Sequence, residues 1–153
     1  MTRAFAVVLG LALLVASGCG SSPKTVTKAE YQATVQRLGT ELTDAGSQVG
    51  KAIDISTFNQ NVQNLQDQLR KAAHELDGLR PPENVRAANK LLAQGLKDFA
   101  DVLEPVKAAR RQSIVKAREA LARVGISTAI KEGRAAVHQL RQHGYDVGQF
   151  GTL

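Results

Sequence analysis

Residues 27–50 read TKAEYQATVQRLGTELTDAGSQVG, and the apolar positions in them decide the fold. Tyr31, Val35, Leu38, Leu42, Ala45 and Val49 follow one another at steps of 4, 3, 4, 3 and 4. Those steps keep every apolar side chain on one face of a 3.6-residue helix, whereas a half-buried strand would alternate every second residue. Thr27 opens the run with Glu30 three residues on, a capping-box pattern in which each side chain satisfies the other's backbone N–H. The stretch predicts an amphipathic helix over about 27–50 with one face in need of partners. Gly39 and Gly46 each weaken it by about 1 kcal/mol relative to Ala, and leave room for a close neighbour.

The same reading extends downstream. Asp54-Ile55-Ser56-Thr57 is a connection and a second cap. Behind it Phe58, Val62, Leu65, Leu69, Ala72 and Leu76 repeat the first pattern with an offset of 27 residues. Any two helices with a heptad-like core share such an offset, so it does not require duplication. The second helix is also rich in amides (Asn59, Gln60, Asn61, Gln63, Asn64, Gln66, Gln68), which is the composition of a solvated face. Gly78-Leu79-Arg80-Pro81-Pro82-Glu83 ends it, since proline suits the start of a helix and not its interior. A third helix carries Val85, Ala88, Leu92, Leu96, Phe99 and Leu103. Pro105 removes one backbone bond, yet the apolar phase continues through Val106, Ile114, Ala117, Leu121 and Val124, interrupted by Arg110. That combination predicts a long third helix kinked near Pro105. A last helix spans about 128–143 with Ile130, Val137 and Leu140. Gly144 then stands as a left-handed terminator, and Tyr145, Val147 or Phe150 is expected to dock on the body. No run shows period-2 alternation. The expected fold is all-α, an up-and-down four-helix bundle over residues 27–153.

Upstream of this body the composition changes. Met1-Thr2-Arg3 precedes thirteen residues, Ala4 to Ala16, that lack any polar side chain. Thirteen is the length of a signal-peptide hydrophobic region, short of the roughly 20 apolar residues a bilayer span needs. Ala16-Ser17-Gly18 follows, then Cys19, the only cysteine. This exit resembles the lipobox of bacterial lipoproteins, although Ala16 stands where the pattern prefers Leu. The resemblance implies a signal peptide over residues 1–18 and a diacylated Cys19 as the mature N-terminus. Lipidation would consume the sole thiol and leave a body without disulfides. Residues 19–26 then form a short polar tether, with seven residues after the cysteine reaching at most about 25 Å. Pro81-Pro82 before the third helix and Gly144-Tyr145-Asp146-Val147-Gly148 after the last are similar to the loops of small helical-bundle domains in lipoproteins of high-GC bacteria. That likeness implies fold and location, at the extracytoplasmic side of the cell membrane, and carries no activity.

Without residues 1–18 the chain holds 19 basic and 14 acidic side chains, a net charge of +5. The segment between Val106 and Val124 alone contains Lys107, Arg110, Arg111, Lys116, Arg118 and Arg123 against Glu119. As one helix it would place Lys107, Arg111 and Arg118 on one side. Lys107, Arg111, Lys116, Arg118 and Arg123 are thus the candidate contacts to an anionic surface, lipid heads or wall polymers, where each basic residue contributes about 1 kcal/mol. Nucleic acid is not the expected partner, because the five aromatics of the body (Tyr31, Phe58, Phe99, Tyr145, Phe150) do not interleave with the basic residues as stacking platforms.

Catalytic and metal chemistry find little support. Neither Glu-x-x-His nor His-Glu-x-x-His occurs, and His138 and His143 are five residues apart, off a common helix face. Gly-x-Ser-x-Gly and phosphate-cradling glycine loops are absent. The expectation is a non-enzymatic protein without cofactor or metal, working by binding another envelope protein or an anionic surface. The alternative is a carrier or sensor that holds a lipid or small hydrophobe in a groove between helices, opened or tightened by the glycines at 39, 46, 95 and 133.

Overall fold

A computed structural model describes residues 23–109, 113–124 and 127–150. Among the described residues the fold is all-α, apart from two strands of two residues each. Helix α1 covers Lys28–Lys51 and α2 covers Ile55–Asp77. Helix α3 covers Arg86–Val102, entered through a 3₁₀ turn at Glu83–Val85, and α6 covers Thr128–Gln142. Between α3 and α6 lie two shorter helices, α4 (Glu104–Ala109) and α5 (Ile114–Val124).

The first helix begins where its cap demands. Glu30 N donates to Thr27 Oγ1 at 3.2 Å, and Thr27 N donates to Glu30 Oε2 at 2.8 Å. Tyr31, Val35, Leu38, Leu42, Ala45 and Val49 are all buried. Helix α2 is capped by Asp54, which accepts from Thr57 N at 2.9 Å and from Thr57 Oγ1 at 2.7 Å. Its stripe from Phe58 to Leu76 is buried as well. Arg37 joins the two helices by pairing with Glu41 at 2.8 Å and with Glu75 across on α2.

Helix α3 lies between α2 and α6. Against α2 the contacts run antiparallel. Asn89 Nδ2 donates to Leu76 O at 3.0 Å near one end, and Gln66 Nε2 donates to Ala100 O at 2.7 Å near the other. Against α6 the two backbones meet at glycine: a Cβ on Gly95 would lie 3.1 Å from Gly133 N. The last helix ends as the sequence indicates. Gly144 adopts φ +73°, its N–H donates to Arg141 O at 2.9 Å, and Tyr145 N reaches back to Leu140 O at 3.1 Å. This is a Schellman motif, and it turns the tail back onto the body. Tyr145, Val147 and Phe150 are all buried, with Tyr145 edge-on to Tyr31 at 5.7 Å between ring centroids. Lys28 Nζ stands 4.8 Å above the Tyr145 ring.

Three expectations need correction. The third helix is not one long kinked rod. Helix α3 stops at Val102, and α4 starts after Leu103 with Pro105 in its first turn, where a missing N–H costs nothing. Helix α5 instead packs against α4, and Pro105, Ala109, Lys116, Ala120 and Arg123 line the groove between them. Ser113 makes this possible by capping α5, its Oγ accepting from Lys116 N at 3.2 Å. Secondly, the segment before α1 is only partly a tether. Lys24–Thr25 (β1) pairs in parallel with Leu79–Arg80 (β2), through Lys24 N to Gly78 O at 2.8 Å and Val26 N to Arg80 O at 3.2 Å. Val26 is buried in the core. Thirdly, the amide-rich face of α2 is not wholly solvated: Gln66 is fully buried and bonds to both Ala100 O and Glu104 Oε1.

Candidate functional site

The predicted sites were the lipidation site Cys19 and the basic residues of the 107–123 segment. Cys19 and Arg111 lie outside the described residues. The remaining four do not share one face. Lys107 sits on α4, whereas Lys116, Arg118 and Arg123 sit on α5, a separate helix. Spacings that would align Lys107 with Arg118 along one helix therefore lose their meaning.

The charges are also partly engaged within the protein. Lys107 is only 20% exposed and pairs with Glu104 at 3.2 Å. Glu104 accepts from Gln66 Nε2 at 2.6 Å as well, and the Gln66 and Lys107 hydrogen bonds hold its carboxyl below the ordinary Glu value. Lys116 pairs with Glu119 at 3.3 Å. Arg118 donates to Ala52 O at 2.7 Å, which ties α5 to the α1–α2 connection. Arg123 is exposed and lines the shallow groove between α4 and α5 with Lys116 and Glu119.

The location of this hairpin matters more than its charge. Ala52 closes the C-terminal end of α1, while β1 enters at the N-terminal end of the same helix. With 24 residues, α1 separates the two ends by about 36 Å. The basic hairpin and the point where the chain emerges thus lie at opposite ends of the body.

The glycines expected to shape a groove have separate jobs. Gly39 lies under Phe150: a Cβ there would stand 2.8 Å from Phe150 N and 3.0 Å from Phe150 Cδ2. Gly95 brings α3 against α6, whereas a Cβ on Gly133 would meet nothing within 4 Å. Beside them an apolar cavity is lined by Leu92, Leu96, Phe99, Ile130, Val137 and Phe150. Its volume of about 40 Å³ holds a water or two and no lipid.

A second pocket was not foreseen. It opens at the β1 end, with a volume of about 590 Å³. Arg80, Arg86 and Lys90 line it together with Asn89, Asp77, Leu79, Pro81 and Pro23. These residues come from the end of α2, from β2 and the proline after it, from the first two turns of α3 and from the residue before β1. Arg86 and Lys90 are one turn apart, a spacing visible in the sequence. The contribution of Arg80 depends on the β1–β2 pairing, which two-residue strands do not announce.

His74, His138 and His143 are all exposed, the first on α2 and the others on and just after α6. Among the described residues no group of three or more His, Cys, Asp or Glu side chains is placed to hold a metal ion. Among them also, no helix is long and apolar enough to cross a membrane. Comparison with protein-family models, curated proteins and solved structures finds no match to this chain.

Proposed function

We propose that the chain is a lipoprotein anchored through Cys19 on the extracytoplasmic side of the cell membrane, and that its body is a non-enzymatic binding module of the envelope. The observation that carries the proposal is the order of features at the N-terminus: one cation, thirteen apolar residues, Ala16-Ser17-Gly18, then the sole cysteine. The described structure is compatible with it, because Pro23 is exposed at one end of the body and leads directly to β1. Helices α1, α2, α3 and α6 would form the up-and-down bundle, with α4–α5 as an insertion that closes its far end. On this reading the bundle holds Lys116, Arg118 and Arg123 away from the anchoring leaflet, toward wall polymers or another envelope protein.

The anchor is tested by replacing Cys19. Wild-type protein should fractionate with membranes and carry a diacylglyceryl mass on Cys19, and Cys19→Ala should appear in the soluble fraction. Retention of Cys19→Ala in the membrane together with an unmodified wild-type cysteine would rule the anchor out.

The alternative, a carrier for a hydrophobe, draws on the seat of Phe150 between α1 and the α3–α6 cavity. With 40 Å³ of space, that reading requires the tail to leave before any acyl chain enters.

A further inference from the structure

We infer that the pocket at the β1 end binds the anionic head group of a membrane phospholipid, a phosphodiester bearing hydroxyl groups. The inference rests on the anchoring of Cys19 for its source of ligand, and on the pocket itself for its chemistry.

Three cations converge there. Arg80 and Lys90 make no ion pair among the described residues, and Arg86 has only Glu83 at 4.0 Å, a carboxylate that is itself 89% exposed. The one acidic residue of the lining, Asp77, is already neutralised by Lys97 at 2.6 Å. Arg86 opens α3 and Lys90 lies one turn further on, so the positive end of that helix adds to the field beside Arg86. A phosphate diester fits this set, since a guanidinium pairs with two of its oxygens and an ammonium with one.

Asn89 supplies an independent observation. It is 6% exposed and lines the same pocket. Its Nδ2 is used by Leu76 O, while Oδ1 is buried with no hydrogen-bond partner. A buried amide oxygen without a donor is costly, and native proteins seldom leave one so. The oxygen is enclosed as the side chain stands, so a donor from outside the chain meets it only when the Asn89 amide turns toward the pocket it lines. An anion alone would not satisfy it, whereas the hydroxyls of a glycerol or polyol head group would. Leu79, Pro81 and Pro23 give the pocket an apolar wall suited to the carbon skeleton of such a head group.

Position favours a lipid over a free phosphate. Pro23 forms part of the pocket, and only three residues, four Cα–Cα steps, separate it from Cys19. Fully extended, they reach about 14 Å. A protein anchored at Cys19 therefore carries the pocket within reach of the head-group layer, and the lipids around the anchor are at high local concentration.

The test uses the full chain carrying Cys19→Ser in a maltoside detergent, titrated with dihexanoyl phosphatidylglycerol and followed by calorimetry and by the Asn89 side-chain amide resonance. Parallel arms use dihexanoyl phosphatidylcholine, glycerol 3-phosphate and inorganic phosphate. Phosphatidylglycerol should bind at least tenfold tighter than phosphatidylcholine and should move the Asn89 resonance. Arg86→Gln and Lys90→Gln, both at exposed positions, should each weaken binding roughly fivefold. Lys116→Gln, at the opposite end, should leave it unchanged. Equal binding of the two lipids would overturn the inference, as would an equal loss in Lys116→Gln. Glycerol 3-phosphate or inorganic phosphate binding as tightly as the lipid would overturn the assignment to a membrane ligand. The anchor is read separately, by the mass of Cys19 in wild-type protein. Selective binding with an unmodified cysteine would remove the anchor and keep the pocket, and an acylated cysteine without selectivity would do the reverse.

Discussion

Replacing Gly39 by alanine sets two effects of opposite sign against each other. In the interior of α1 the substitution favours the helix by about 1 kcal/mol. The new Cβ would, however, stand 2.8 Å from Phe150 N, 3.0 Å from Phe150 Cδ2 and 3.1 Å from Phe150 Cα. Two of those atoms are backbone, so a rotamer change does not relieve the clash and the tail itself must move. Overfilling of this kind costs about 1–3 kcal/mol, and complete loss of the Phe150 contacts costs about 3–5 kcal/mol, as in Phe→Ala substitutions. The clash therefore outweighs the helix term, and Gly39→Ala should be destabilising by up to about 2 kcal/mol. Phe150→Ala unfastens the tail, and in that background Gly39→Ala should turn stabilising by about 1 kcal/mol. Urea unfolding of the two single variants, the double variant and wild type gives the coupling energy directly, which should come to about 1–3 kcal/mol. Gly39→Ala stabilising the otherwise wild-type protein, or a coupling near zero, would refute the seating of Phe150 on α1.

Three further predictions concern a helix contact, a buried amide and the surface carboxylates. Gly95→Ala should destabilise, because its Cβ would lie 3.1 and 3.2 Å from the Gly133 backbone. Gly133→Ala, facing open space, should gain up to about 1 kcal/mol; thermal unfolding of the two variants tests this asymmetry. Gln66→Ala should cost about 2–4 kcal/mol through the lost hydrogen bonds and the cavity, while Gln66→Met, which fills the space and removes the orphaned Oε1, should cost less than half as much in urea. The carboxyls of Glu30, Asp54 and Glu104 are held below their ordinary values by hydrogen bonds, from Thr27, Thr57 and Gln66 respectively. Their contribution is complete above the ordinary values of 4.5 and 3.8 and is lost as pH falls through the lowered ones. The unfolding midpoint should thus hold steady from pH 7 to about 5 and decline below, with a shallower decline in Glu104→Gln.

Much of this fold was legible in the chain, and the reasons are specific. The stripes of α1 and α2 are long, capped and strictly spaced, so every apolar residue assigned to them is buried. The docking of Tyr145, Val147 and Phe150 followed from apolar residues beyond a glycine terminator. The α4–α5 hairpin was missed because two short helices that bury one stripe each keep the 3–4 spacing of a single helix. Ser113, placed just before Ile114, was the available signal of a new helix start, and its cap is what the structure uses. Gln66 looked like its solvated neighbours, because a single buried amide leaves no periodic trace. The β1-end pocket escaped for a different reason: Arg80 belongs to a two-residue strand without a periodic signature, and Pro23 joins the lining only where Lys24–Thr25 lies beside Leu79–Arg80.

The pairing of β1 with β2 also sets how the molecule bears load. Tension applied on the N-terminal side of Pro23 would otherwise peel α1 from its first turn, one hydrogen bond at a time. With two parallel strands the pull meets Lys24 N–Gly78 O and Val26 N–Arg80 O side by side, in shear, and they must give way together. Force entering at β1 is divided between α1 and the α2–α3 connection, so Thr27 and Glu30 are sheltered from it. The smallest element of secondary structure among the described residues is thus the one placed to act as a mechanical clamp.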